Sequence, residues 1–178
     1  MTIYGVSFDL IGKQPIVLLK TAEGNRYLPI WIGHPEAAAI LMKLQGASAP
    51  RPLTHDLIVN ILGELDVDVV RVTVTELRES TFHASITVKQ NGSEIEIDSR
   101  SSDAIAVAVR VDAPIYAADE VIEESAIEME GEDVNEEEIV DEFKRFLDRV
   151  SAEDFAGAEA EAEAAELEDE QDDDDDER

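Results

Sequence analysis

TFHASITVKQNGSEIEIDSR, residues 81–100, decides the fold class. Phe82, Ala84, Ile86 and Val88 alternate with His83, Ser85, Thr87 and Lys89, the period-two pattern of a strand with one buried and one wet face. Asn91–Gly92 follows, a dipeptide suited to a two-residue hairpin turn because both residues tolerate a left-handed backbone. On the return, Ile95 and Ile97 are expected to face in and Glu94, Glu96 and Asp98 to face out. Upstream, Val70, Val72 and Val74 alternate with Arg71, Thr73 and Thr75, so residues 66–99 read as a three-stranded antiparallel meander.

Downstream the period changes. SSDAIAVAVR is ambiguous by pattern alone, since IAVAV suits a buried strand as well as a helix. Ser101 or Ser102 as a cap, with Asp103 in the first turn, favours a helix from about Ser102 that is apolar nearly all round and therefore central. PIYAA then reads as a short strand and DEVIEESAI as a short helix.

Toward the N-terminus, residues 2–10, 15–20 and 26–32 read as a second meander. Pro29 removes a ladder donor from the third of these strands, which predicts an edge or a bulge. Trp31 reads as core. HPEAAAILMKLQG begins with Pro35 in the first turn and ends at Gly46, with Ala37, Ile40, Leu41 and Leu44 on one face and Glu36 near the N-terminus. Thr54 is placed to cap a further helix whose buried stripe is Leu57, Ile58, Ile61, Leu62 and Leu65. The whole predicts an α+β domain over residues 1–127, largely antiparallel meanders packed with about three helices. A linker at 128–134, an amphipathic helix at 135–155 and a disordered, acidic, low-complexity tail at 156–178 complete the chain.

Charge follows the same division. Residues 1–118 hold 14 Asp and Glu against 10 Lys and Arg, whereas residues 119–178 hold 29 against 4. The net charge of -29 therefore belongs mostly to the C-terminal third. Scarce lysine and abundant acid fit either a high-salt cytoplasm or an ordinary protein with a solubilising tail. With no cysteine, a disulfide framework, a thiol nucleophile and a Cys-based zinc site are excluded. No basic, apolar leader and no run of about 20 apolar residues is present, so the expectation is a cytoplasmic protein without a membrane span.

Phosphate-loop, dinucleotide, nucleophile-elbow and HExxH motifs are absent, and His34, His55 and His83 lack paired metal-ligand spacing. Two polar clusters remain, each at a predicted helix start: Arg51 to Asp56, and Asp98 to Asp103. Helix N-termini attract phosphate, and Arg51 and Arg100 add planar donors suited to a phosphodiester. Asp56, Asp98, Asp103 and Glu36 offer carboxylates for Mg²⁺ or Mn²⁺, which could activate water, and His55 could carry a proton. From chemistry alone the plainer reading carries more weight: Thr54, Ser101 and Ser102 as caps, Asp56 and Asp103 as first-turn anions, Arg100–Asp103 as a structural pair.

In order along the chain, Leu28-Pro29-Ile30-Trp31-Ile32-Gly33 with Glu36-Ala37, Arg51-Pro52-Leu53-Thr54-His55-Asp56-Leu57, Thr81-Phe82-His83-Ala84, Ile97 to Ala106 and Ala113-Pro114-Ile115-Tyr116 resemble the bifunctional nuclease family over about residues 3–127. One departure is Ser101 where the family's pattern Arg-Pro-Ser-Asp has proline, which softens the helix start and keeps its charged groups. The resemblance implies a small α+β domain that self-associates, often as a dimer, and a hydrolase cleaving phosphodiester bonds in DNA and RNA with little sequence preference. It carries over Glu36, His55, Asp56, Asp98 and Asp103 as candidate catalytic residues, Asp98 and Asp103 as metal ligands, and Arg51, Thr54, Arg100 and Ser102 as substrate-binding residues. Without a basic stripe, nucleic-acid binding should be weak. The alternative is a non-catalytic domain that binds a ligand or a protein.

Overall fold

The computed structural model describes residues 1–8, 14–47 and 49–128. The linker from residue 129 on, the helix expected at 135–155 and the acidic tail lie outside the described residues.

Asn91 and Gly92 have φ of 52° and 84°, the left-handed pair that a tight hairpin turn needs. They join β5 (Thr81–Gln90) to β6 (Ser93–Arg100), with Gln90 opposite Ser93 and Ile86 opposite Ile97. β4 (Asp68–Arg78) pairs antiparallel with β5, bulging near Val70 and Thr75. β7 (Ile115–Ala117) adds to the far side of β4 in parallel, giving a sheet ordered β6-β5-β4-β7. A parallel neighbour requires a crossover, and α3 (Ser101–Val111) supplies it.

The second sheet is ordered β1 (Thr2–Phe8), β2 (Pro15–Lys20), β3 (Arg26–Trp31) and β8 (Ile127–Glu128), all antiparallel. β8 pairs only with Arg26 and Tyr27, so β3 is an edge where Pro29 sits and the missing donor costs nothing there. Val6, Val17, Leu19, Leu28 and Ile30 share one face by register and are completely buried. The remaining helices are α1 (His34–Leu44), α2 (Thr54–Glu64) and α4 (Asp119–Ser125). The fold class is therefore α+β, with four helices and two mostly antiparallel sheets among the described residues.

α3 is central, as its composition predicts. It packs on α1, α2, β4 and β5, and Ala104 to Ala108 are buried on every side. Its IAVAV run is helical because the short Ala and Ser side chains let other elements approach around most of the helix.

Several expectations require correction. Trp31 is 52% exposed, because it alternates with buried Ile30 and Ile32 and so faces the other way. Leu44 is exposed at the end of α1. Leu57, Ile58, Ile61 and Leu65 do not form a buried stripe: among the described residues nothing covers that face of α2. Ile95 and Ile97 do lie on the face shared with Ile86 and Val88, yet both are half exposed because α3 packs more on β4 and β5 than on β6. The caps also differ. Leu53 and Arg100 precede α2 and α3, so Thr54, Ser101 and Ser102 are inside their helices and do not cap them.

Candidate functional site

Three helix starts converge. β6 runs into α3 without a loop, so Arg100 is both the end of the strand and the residue before the helix. From there its guanidinium reaches two carboxylates: Nε donates to Asp103 Oδ2 at 2.7 Å, and Nη2 donates to Glu36 Oε1 at 2.8 Å. Asp103 is in the first turn of α3 and Glu36 in the first turn of α1. α2 contributes His55, whose Nε2 lies 2.9 Å from Asp103 Oδ1. With a neutral imidazole that hydrogen bond puts the proton on Nε2 and the lone pair on Nδ1. His55 is buried, and Arg100 is largely exposed.

Electrostatics fix the charge states. Burial pushes the Asp103 carboxyl up, but hydrogen bonds from Arg100 and His55 outweigh it and hold the group below the ordinary carboxylate range. The Asp103 bond in turn raises Arg100 above its usual value. Gly33 is part of the same device. It precedes α1, and a Cβ there would collide with the Glu36 carboxylate, which folds back over this glycine to meet Arg100.

The cluster forms the polar end of a groove of about 850 Å³. Thr54 and Asp98 line the same groove. The rest of the groove is apolar, walled by Met42, Ile58, Leu62, Ile86, Val88 and Ile97.

Thus Glu36, His55, Arg100 and Asp103 come together, Thr54 and Asp98 line the same groove, and the other sequence candidates do not join them. Arg51 and Asp56 line a separate cleft of about 340 Å³ with Lys43 and Arg110. Asp56 accepts the Leu53 N–H at 2.9 Å and Arg110 Nε at 2.7 Å, both structural uses. The Leu53 N–H, and next Arg110, hold its carboxyl below the usual range. Ser102 is buried and lines a third cleft, of about 260 Å³, together with Trp31 and Arg100. Arg110 escaped the sequence reading. It is 54 residues from Asp56, and only an arginine in the last turn of an otherwise apolar helix hinted at a buried partner.

A divalent metal does not fit these donors as arranged. Of the two expected ligands, Asp103 has both oxygens engaged, by His55 and by Arg100, which also holds Glu36, and Asp98 lines the same groove. Among the described residues no three His, Asp or Glu side chains form a group able to hold one.

Residues 17–130 match the bifunctional nuclease domain, well over half of the chain. The chain belongs to the bifunctional nuclease domain family. Two uncharacterized proteins from two strains of Mycobacterium tuberculosis are each 40% identical to it over 159 residues, covering 86% of this chain and 95% of theirs. As a bifunctional nuclease domain, the chain places its polar cluster where α1, α2 and α3 begin. No helix among the described residues is long and apolar enough to cross a membrane.

Proposed function

We propose that this chain hydrolyses phosphodiester bonds in DNA or RNA, with His55 carrying the proton and Arg100 gripping the anion. One observation carries the reading: His55, Asp103, Arg100 and Glu36 form a connected hydrogen-bonded set at the polar end of an open groove. Asp103 fixes the His55 tautomer, so Nδ1 is the atom that can take a proton from an attacking water or hydroxyl. Arg100 uses Nε and Nη2 on carboxylates and keeps Nη1 for a non-bridging phosphate oxygen. Exposed Trp31, in the cleft that Arg100 also lines, offers a ring on which an unpaired base can stack. Cationic contacts are few, so affinity is weak and salt-sensitive.

The test incubates the purified chain with labelled single-stranded and duplex DNA and RNA, with Mg²⁺, with Mn²⁺ and with EDTA. Expected is low-specificity cleavage that survives EDTA and falls at least about 100-fold in Asp103→Asn and in His55→Ala, with both variants folded. Loss of cleavage in EDTA together with loss in Asp98→Ala would instead mean that Asp98 and Asp103 rearrange around an ion. Absence of cleavage under every condition would turn the reading to a non-catalytic binding domain, which the apolar groove walls favour.

A further inference from the structure

Two serines in the first turn of α3 are buried without a use. Ser101 and Ser102 are 5% and 6% exposed, neither caps the helix, and neither hydroxyl has a hydrogen-bond partner among the described residues. Buried hydroxyls are nearly always hydrogen-bonded, because a bare one has given up its bonds to water. The unpaired hydroxyls of Thr87 and Ser125 are closed off from solvent. Ser101 and Ser102 instead line the cleft of about 260 Å³ that Trp31 and Arg100 share.

We propose that this cleft is a base-binding subsite, in which the Trp31 indole stacks an unpaired nucleobase and the Ser101 and Ser102 hydroxyls bond its edge. The choice of a nucleobase rests on the phosphodiester reading; the use of the two hydroxyls and the role of Ser101 are new.

The lining residues suit that ligand. Trp31 alternates with buried Ile30 and Ile32, so its ring is left on the wet side, where a base can lie on it. A serine hydroxyl both donates and accepts, and so can meet a ring nitrogen, a carbonyl or an amine. Proline at position 101, as in the family's pattern, brings no hydroxyl, so the Ser101 contact is a feature of this chain.

Size and charge narrow the occupant further. The cleft falls below the roughly 300–1,000 Å³ of pockets that take drug-sized molecules, which leaves space for one base and not for a duplex. A paired base also has its edge already occupied, so the strand must be unpaired there. Arg100 is the one charged residue lining the cleft, and no acid lines it, whereas Glu36, Asp98 and Asp103 line the large groove. In a chain of net charge -29, a concave surface free of acid is where a strand of phosphates can approach without repulsion. Arg100 lines both spaces, so the base in the cleft belongs to a nucleotide beside the phosphate that Arg100 grips.

The chain has a single tryptophan, so intrinsic fluorescence reports on Trp31 alone and tests the subsite without any cleavage. The purified full chain is titrated with adenosine and, separately, with ribose. Adenosine should quench the fluorescence saturably, and ribose should not. Ser101→Ala and Ser102→Ala should each weaken adenosine about three- to tenfold, the worth of one neutral hydrogen bond, while acrylamide quenching and circular dichroism stay as in wild type. Ser101→Pro, which suits the first position of a helix, should weaken it as Ser101→Ala does. Quenching by adenosine that never saturates, ribose that quenches equally, or serine variants that bind adenosine as tightly as wild type would overturn the subsite. A chain that binds adenosine in this way and cleaves no substrate would sink the hydrolytic reading and leave the subsite standing.

Discussion

Asp103 Oδ1 lies 2.9 Å from His55 Nε2, so the first turn of α3 fixes a histidine presented by the first turn of α2. If the pair acts as one unit in proton transfer, its members are not additive. Asp103→Asn and His55→Ala should each lower kcat/KM at least about 100-fold, and the double variant should be no worse than the weaker single one. Steady-state kinetics on a labelled oligonucleotide read this directly. Losses that multiply in the double variant would mean that the two residues act separately.

Arg110 and Asp56 should behave differently. The Arg110 side chain is 5% exposed, donates to Asp56 at 2.7 Å and also to the carbonyls of Ala106 and Ala39, tying α1, α2 and α3 together. Asp56→Ala leaves this guanidinium without its counter-charge. A loss of about 2–3 kcal/mol is expected, toward the low end for a broken pair because Asp56 itself keeps water. Urea unfolding measures the loss, and cleavage per folded molecule should stay unchanged.

Acid should expose both carboxylates. Asp56 and Asp103 have folded-state pKa values below the ordinary 3.8, so the unfolded chain takes up their protons first. Their stabilisation is complete well above 3.8 and is lost as pH falls through the folded-state values. The gap in urea midpoint between wild type and the Asp56→Asn, Asp103→Asn double variant should therefore be full at about pH 6 and shrink toward pH 2.5. A gap independent of pH would contradict this account.

Gly33→Ala is a test of placement. The backbone at Gly33 is ordinary extended chain, φ -71° and ψ 156°, so alanine fits and stability should change by less than about 0.5 kcal/mol. The new methyl group would meet the Glu36 carboxylate and push it off Arg100. Kinetics matching those of Glu36→Gln, with an unchanged melting temperature, are expected. A crystal structure of the variant that keeps the 2.8 Å Arg100–Glu36 bond would contradict the reasoning.

What the sequence by itself determined is local. The Asn91–Gly92 turn, the alternation along β5, the Pro35 start of α1 and the helical state of residues 101–111 depend on neighbours a few positions away, and composition suffices to read them. That polar residues gather at helix starts was legible for the same reason, as were His55 and Asp103 as members of two such clusters.

Tertiary structure decided which side of each element found a partner. Periodicity identifies an apolar face on α2 and on β6, but cannot say whether another element covers it, and Leu57, Ile61 and Ile95 are exposed. It also divided the first polar cluster. His55 turned toward Asp103, 48 positions on, and Asp56 toward Arg110, 54 positions on. Adjacent residues on a helix point about 100° apart, so one step along the chain separates the candidate proton carrier from a structural pin.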